Sequence, residues 1–81
     1  MVITVKLFAL YKELVGSEQL SLEVEPGSTA GEAVALLKRR YPVLARQRHS
    51  PLAACNLRHV GASHELKPGD ELALFPPVSG G

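Results

Sequence analysis

At 81 residues, with 46% hydrophobic and 21% charged side chains, the chain has material for one compact core and is far from the polar, highly charged composition of disorder. Nine basic and eight acidic residues leave a formal net charge of +1, which excludes the strongly basic surface of a nucleic-acid binder, and no apolar run approaches the roughly eighteen residues of a membrane helix. One cysteine, Cys55, allows no internal disulfide, and no signal-peptide profile precedes the first alternating segment, so a single cytoplasmic domain over residues 1–81, with no nucleic-acid or membrane partner, is expected.

Residues Val2 to Leu10 alternate, with Ile3, Val5, Leu7 and Ala9 on one face and Val2, Thr4, Lys6, Phe8 and Leu10 on the other, which predicts a first strand. Tyr11 to Val15 fits one helical turn ahead of Gly16. Leu20, Leu22 and Val24 then alternate with Ser21, Glu23 and Glu25 in a second strand, antiparallel to the first. Pro26-Gly27 supplies a turn, and Thr29 followed three residues later by Glu32 is a capping box, so a helix starts near Ala30. Ala30, Ala33, Val34, Leu37 and Tyr41 make one apolar stripe along it, and Pro42 marks its end by disfavouring helical geometry at Tyr41. Val43 to Pro51 reads as a basic loop with room for a short helical turn. The one basic cluster, Lys38, Arg39, Arg40, Arg46 and Arg48, reads as a solvated face. A third strand covers Leu52 to Asn56 and a short fourth Arg58 to Val60. Pro68-Gly69-Asp70 turns the chain into a last strand, Glu71 to Phe75, with Leu72 and Leu74 pointing one way and Ala73 and Phe75 the other.

The order β, β, α, β, β, β buries its helix stripe most simply against one face of one mixed sheet, an α+β arrangement of the β-grasp type. In that fold the first and last strands lie side by side and parallel, so the chain leaves the sheet from its middle. By strand parity Phe8 and Phe75 share the face away from the helix, where paired aromatics mark a partner surface, with Lys12 nearby as a charged contact.

The body carries no catalytic signature. Cys55 is expected as a small buried strand residue, and His49, His59 and His64 lack the spacing of a zinc site, so no metal is expected. Gly61 and Gly69 sit singly in turns and form no phosphate loop. The chemistry points to the end. Pro76-Pro77 cannot donate ladder hydrogen bonds and send the chain outward in a stiff, extended direction. Val78, Ser79, Gly80 and Gly81 that follow are small, so residues 76–81 are expected as a flexible tail that threads a narrow channel and delivers the Gly81 carboxylate to a partner's catalytic groups. Adenylation would give that carboxylate a good leaving group, and a sulfur nucleophile would convert it to a thiocarboxylate.

The block Leu66-Lys67-Pro68-Gly69-Asp70-Glu71-Leu72-Ala73-Leu74-Phe75-Pro76-Pro77-Val78-Ser79-Gly80-Gly81 resembles the C-terminal signature of the MoaD family, the small sulfur-carrier subunit of molybdopterin synthase (molybdopterin converting factor subunit 1). Val5 to Gly16, with Phe8-Ala9 and Lys12-Glu13-Leu14-Val15-Gly16, resembles that family's first strand and turn. The resemblance implies a ubiquitin-like β-grasp fold and a carrier, not an enzyme in its own right. It implies that an E1-like, MoeB-type enzyme spends ATP to adenylate Gly81, that a sulfur donor forms the thiocarboxylate, and that the tail enters a MoaE-type large subunit within a heterotetramer. Sulfur then passes to cyclic pyranopterin monophosphate to build the molybdopterin dithiolene; no cofactor is bound by the carrier. One departure from the family pattern is His59, where an apolar interface residue is expected on the short fourth strand. Two related readings share the Gly-Gly end: a ThiS-like sulfur carrier for thiazole synthesis, against which chain length and Pro76-Pro77 argue, and a ubiquitin-like protein modifier that joins Gly81 to lysines.

Overall fold

A computed structural model describes residues 1–77; Val78, Ser79, Gly80 and Gly81 lie outside the described residues. The elements are β1 (Val2–Leu7), α1 (Leu10–Val15), β2 (Gln19–Glu23), α2 (Ala30–Arg40), α3 (Pro42–Ala45), β3 (Leu52–Cys55), β4 (Arg58–Val60) and β5 (Glu71–Phe75). They form a five-stranded mixed sheet in the order β2-β1-β5-β3-β4. β1 and β5 run parallel, Val5 opposite Leu72 and Leu7 opposite Leu74, while the other neighbours are antiparallel. This is the α+β, ubiquitin-like β-grasp architecture that the element order predicts, with α2 as its main helix. Among the described residues no helix is long and apolar enough to cross a membrane.

The core lies between one face of the sheet and α2. Ile3, Val5 and Leu7 of β1, Leu22 of β2 and Leu72 and Leu74 of β5 meet Ala30, Ala33 and Leu37 of the helix, all of them buried, and Tyr11 and Leu66 close the ends. The period-2 and period-3.6 patterns therefore converge on one layer. α2 opens with the capping box: the Thr29 hydroxyl accepts from the Glu32 N–H at 3.2 Å, and the Glu32 carboxylate accepts from the Thr29 N–H at 3.0 Å. Gly31, in the first turn, sits where a Cβ would lie 3.0 Å from the Ala62 side chain, and its N–H donates to the Ala62 carbonyl at 2.9 Å. That close approach straps the segment after β4 to the helix.

Four boundaries differ from the sequence reading. β1 ends at Leu7 rather than Leu10, because Ala9 takes φ 51° and turns the chain into α1; Ala9 is exposed and does not join the inner face. Phe8 still extends the ladder by one bond, its N–H donating to the Leu74 carbonyl at 3.2 Å. β2 starts one residue and ends two residues before the alternating run from Leu20 to Glu25, although the Val24 N–H still reaches the Met1 carbonyl at 2.8 Å. Pro42 does end α2, leaving Tyr41 extended at φ −127°, but it also opens α3 as its first residue, where a missing N–H costs nothing. β3 stops at Cys55 because Asn56 and Leu57 form a two-residue hairpin loop with φ 49° and 72°. Asparagine tolerates that conformation; a leucine there carries strain of about 1 kcal/mol or more.

Candidate functional site

β5 is the central strand, so its last residue, Phe75, stands in the middle of the sheet, flanked by the end of β1 and by the start of β3. The face opposite α2 collects the side chains that alternate out of the core. Phe8 and Phe75 stack there with ring centroids 4.7 Å apart and planes inclined by 13°, as strand parity predicts for neighbouring strands. Phe8 remains 41% exposed, Leu52 47% and Leu57 93%. A near-parallel aromatic pair held this open to solvent is a preformed apolar platform, and its rings are positioned before any partner arrives. The depression beside it has a volume of about 230 Å³ and is bordered by Lys6, Phe8, Leu57, His59, Glu71 and Phe75. Lys6 and Glu71 pair across its floor at 3.4 Å.

Lys12 lies on α1 and shares a neighbouring hollow with Phe8, so the three residues named from sequence as an interface do fall on adjoining surfaces. Its ammonium reaches Glu18 at 3.6 Å, a solvent-exposed pair of little energetic weight. Pro76 and Pro77 leave β5 partly buried. The tail positions Val78, Ser79, Gly80 and Gly81, the last named as the covalent site, are outside the described residues.

Three donor atoms that could ligate a cation come together elsewhere: those of Cys55, His64 and Asp70 lie within 4.8 Å of one another. The sequence reading treated these residues singly and missed the grouping, since fifteen positions separate Cys55 from Asp70. Asp70 is occupied by protein donors. Its carboxylate accepts from the Lys67 N–H at 2.8 Å, from the Asn56 side-chain amide at 3.0 Å and from the Cys55 thiol at 3.4 Å. The Lys67 N–H and then Asn56 hold the Asp70 carboxyl below its ordinary value. Burial, with the Asp70 hydrogen bond and charge in second place, pushes the Cys55 thiol up to about 11. A thiol so protonated is neither a ready nucleophile nor a ready ligand, and the cluster acts as a knot between the β3–β4 hairpin and the turn before β5.

A concavity of about 580 Å³ between α2 and the β3–β4 edge is mainly apolar, with Lys38 and His59 the titratable side chains on its wall. Among the described residues no hydrogen bond or ion pair joins Lys38, Ser50 and His59 on its wall, so volume alone does not make it the site. The described body presents an open aromatic face beside the base of the chain's last segment.

The ThiS family signature matches residues 5–81. The molybdopterin synthase sulfur carrier subunit of Arabidopsis thaliana is 37% identical over 79 residues, spanning 98% of this chain and 82% of that protein. The subunit of the same name from Escherichia coli is 36% identical over 81 residues, spanning 98% and 99%. The crystal structure of SAMP1 from Haloferax volcanii superposes over 100% of both chains with a TM-score of 0.88 at 31% identity.

Proposed function

This chain belongs to the ThiS family, and from that premise we propose that it is the sulfur carrier of molybdopterin synthase, with the Gly81 carboxyl group as the site that carries sulfur. The observation that supports this most is its identity of 36% and 37% with proteins named as such carriers, along nearly the whole chain. The body is the handle. An E1-like, MoeB-type enzyme joins the Gly81 carboxylate to the α-phosphate of ATP and releases pyrophosphate. A sulfur donor then attacks the acyl carbon, a C–S bond forms, the C–O bond to AMP breaks, and Gly81 is left as the thiocarboxylate. The charged tail enters a MoaE-type large subunit, in a heterotetramer, where its sulfur passes to cyclic pyranopterin monophosphate.

Each feature of the fold has a part in this scheme. β5 anchors the tail at the sheet centre, and Pro76 and Pro77 bar it from extending the ladder. The small residues Val78, Ser79 and Gly80 suit a narrow channel. The Phe8–Phe75 stack docks on the large subunit, and Lys12 contributes to encounter with the activating enzyme. The chain thus supplies the reactive end, and its partners supply the catalytic groups.

The decisive experiment is intact mass spectrometry after incubation with the E1-like enzyme, ATP and sulfide. The expected product is heavier by the replacement of one oxygen with sulfur. An unchanged mass, in a mixture that converts another carrier, would overturn the reading. The superposition on SAMP1 favours a second use, protein modification, because activation is shared and a lysine amine can replace the sulfur nucleophile. Isopeptide remnants of the tail on cellular lysines would reveal it; a ThiS-like role would instead require sulfur transfer to a thiazole precursor.

A further inference from the structure

Three segments distant in sequence each send one metal-ligating side chain to a common point, at the end of the sheet where β5 begins. Cys55 is the last residue of β3, His64 lies in the strap that follows β4, and Asp70 belongs to the turn before β5. Their donor atoms lie within 4.8 Å of one another, and the Cys55 Sγ stands 3.4 Å from the Asp70 Oδ2. In a tetrahedral zinc site with bonds of about 2.0 to 2.3 Å, neighbouring ligand atoms stand about 3.3 to 3.6 Å apart. The sulfur–oxygen edge already has that length. The His64 imidazole has to close by no more than about 1.5 Å, a distance that rotation of an exposed ring supplies.

The surroundings support such a site. The Lys67 N–H at 2.8 Å and the Asn56 amide at 3.0 Å hold the Asp70 carboxylate, as outer-sphere donors orient a ligating group. The backbone of His64 is pinned on both sides: its N–H donates to the Gly61 carbonyl at 3.1 Å, and its carbonyl accepts from the Ala30 N–H at 2.8 Å. Among the described residues its imidazole enters no hydrogen bond or ion pair, so ligation there breaks nothing. We propose that Cys55, His64 and Asp70 form a binding site for a thiophilic divalent cation of the zinc class, with water as the fourth ligand on the open side. The metal–sulfur bond forms as the S–H bond breaks, and the thiol proton leaves to solvent. Cys55 holds that proton firmly, so only a cation with strong affinity for sulfur enters; Mg²⁺ and Ca²⁺, which take oxygen ligands, do not. The bound ion would tie the β3–β4 hairpin, the strap and the turn before β5 together. Cys55 lies opposite Leu72, three residues before Phe75, so the site stands roughly 10 Å from the end of β5 and acts on stability rather than on the chemistry of the chain's end.

The test uses the whole chain, first stripped of metal with a chelator. Calorimetric titration with zinc should show one ion per chain, and the melting temperature should rise by about 10 °C or more once zinc exceeds its dissociation constant a hundred-fold. Cobalt(II) in place of zinc should give a thiolate-to-metal absorption band in the near ultraviolet, which reports Cys55 in the coordination sphere. His64→Ala alters an exposed side chain, so without metal it should melt with the wild type; it should nevertheless bind zinc at least about ten-fold more weakly, since even an outer-sphere partner contributes that much. Cys55→Ala should lose the cobalt band. A chain that neither binds zinc nor melts later in its presence would refute the site. Wild-type affinity retained in both variants would place the ion elsewhere, and cobalt binding without the band would remove the thiolate from its ligands; either overturns the assignment. An equal rise in melting temperature with magnesium would mark general cation binding and overturn it too.

Discussion

Replacing Asp70 with alanine removes the acceptor for three donors drawn from two parts of the chain: the Lys67 N–H at 2.8 Å in the turn before β5, and the Asn56 amide at 3.0 Å and the Cys55 thiol at 3.4 Å in the β3–β4 hairpin. Hydrogen bonds to a charged group contribute about 1.5 to 3 kcal/mol each when sheltered; Asp70 is half exposed, so about 1 kcal/mol each for the two nitrogen donors is the better figure, and the thiol adds little. The expected loss is about 2 kcal/mol, or about 8 to 16 °C in melting temperature for a domain of this size. The sign of the pH dependence follows from the lowered folded pKa of Asp70. The stabilisation is fully present above the ordinary carboxyl value of 3.8 and is lost as pH falls through the lower folded value. Urea unfolding of wild type and Asp70→Ala, followed by circular dichroism from neutral pH to about pH 2, should show two curves that converge in acid. Asp70→Asn, which keeps one acceptor oxygen and loses the charge, should fall between them. A gap below about 0.5 kcal/mol at neutral pH, or one that stays constant into acid, would refute the account of Asp70 as a charged knot.

Truncating Phe75 to alanine should cost roughly 2 kcal/mol or more of affinity for the large subunit with the fold intact, and unchanged affinity by calorimetry would remove the stacked pair from the interface. Removing Gly81 should abolish the sulfur mass increment while the thermal unfolding curve stays unaltered; a truncated chain that still supported dithiolene formation at the normal rate would contradict the assignment. Cys55, with its thiol pushed up to about 11, should resist alkylation at pH 8 in the folded protein and react once denatured, as peptide mapping would reveal. Gly31→Val should destabilise by about 1 to 3 kcal/mol in denaturant unfolding, because its side chain would press on Ala62 and lengthen the hydrogen bond that straps the segment to α2.

Much of the fold was legible because several signals agreed. Alternation placed Ile3, Val5, Leu7, Leu72 and Leu74 on the core side, the Thr29/Glu32 pair marked the start of α2, and parity put Phe8 beside Phe75. What escaped was set by single backbone torsions and by contacts distant in sequence. Nothing in the type of Ala9 announces φ 51°, so the alternating pattern overran the true end of β1. Pro42 was recognised as a stop, yet the property that ends one helix also suits the first turn of the next. Leu57 fell between the predicted third and fourth strands with no reading of its own, and only its torsion and exposure set it apart. The joining of Cys55, Asn56 and Asp70 depends on tertiary pairing that no local spacing encodes. The candidate site divided in the same way: its aromatic platform was readable by parity, whereas the hairpin rim was not.

The parallel pairing of β1 with β5 also gives the molecule a direction of mechanical strength. The chain enters at one end of β1 and leaves at the opposite end of the adjacent β5, so traction between the two termini would slide these strands past one another and load their hydrogen bonds together. β5 is gripped on its other side by β3 as well. A pull on the end of β5 with the start of β1 held therefore loads a clamp in shear, not a hairpin that can be unzipped one bond at a time. On the carrier reading proposed above, that clamp is what would let partners draw on the end of the chain while the fold stays closed.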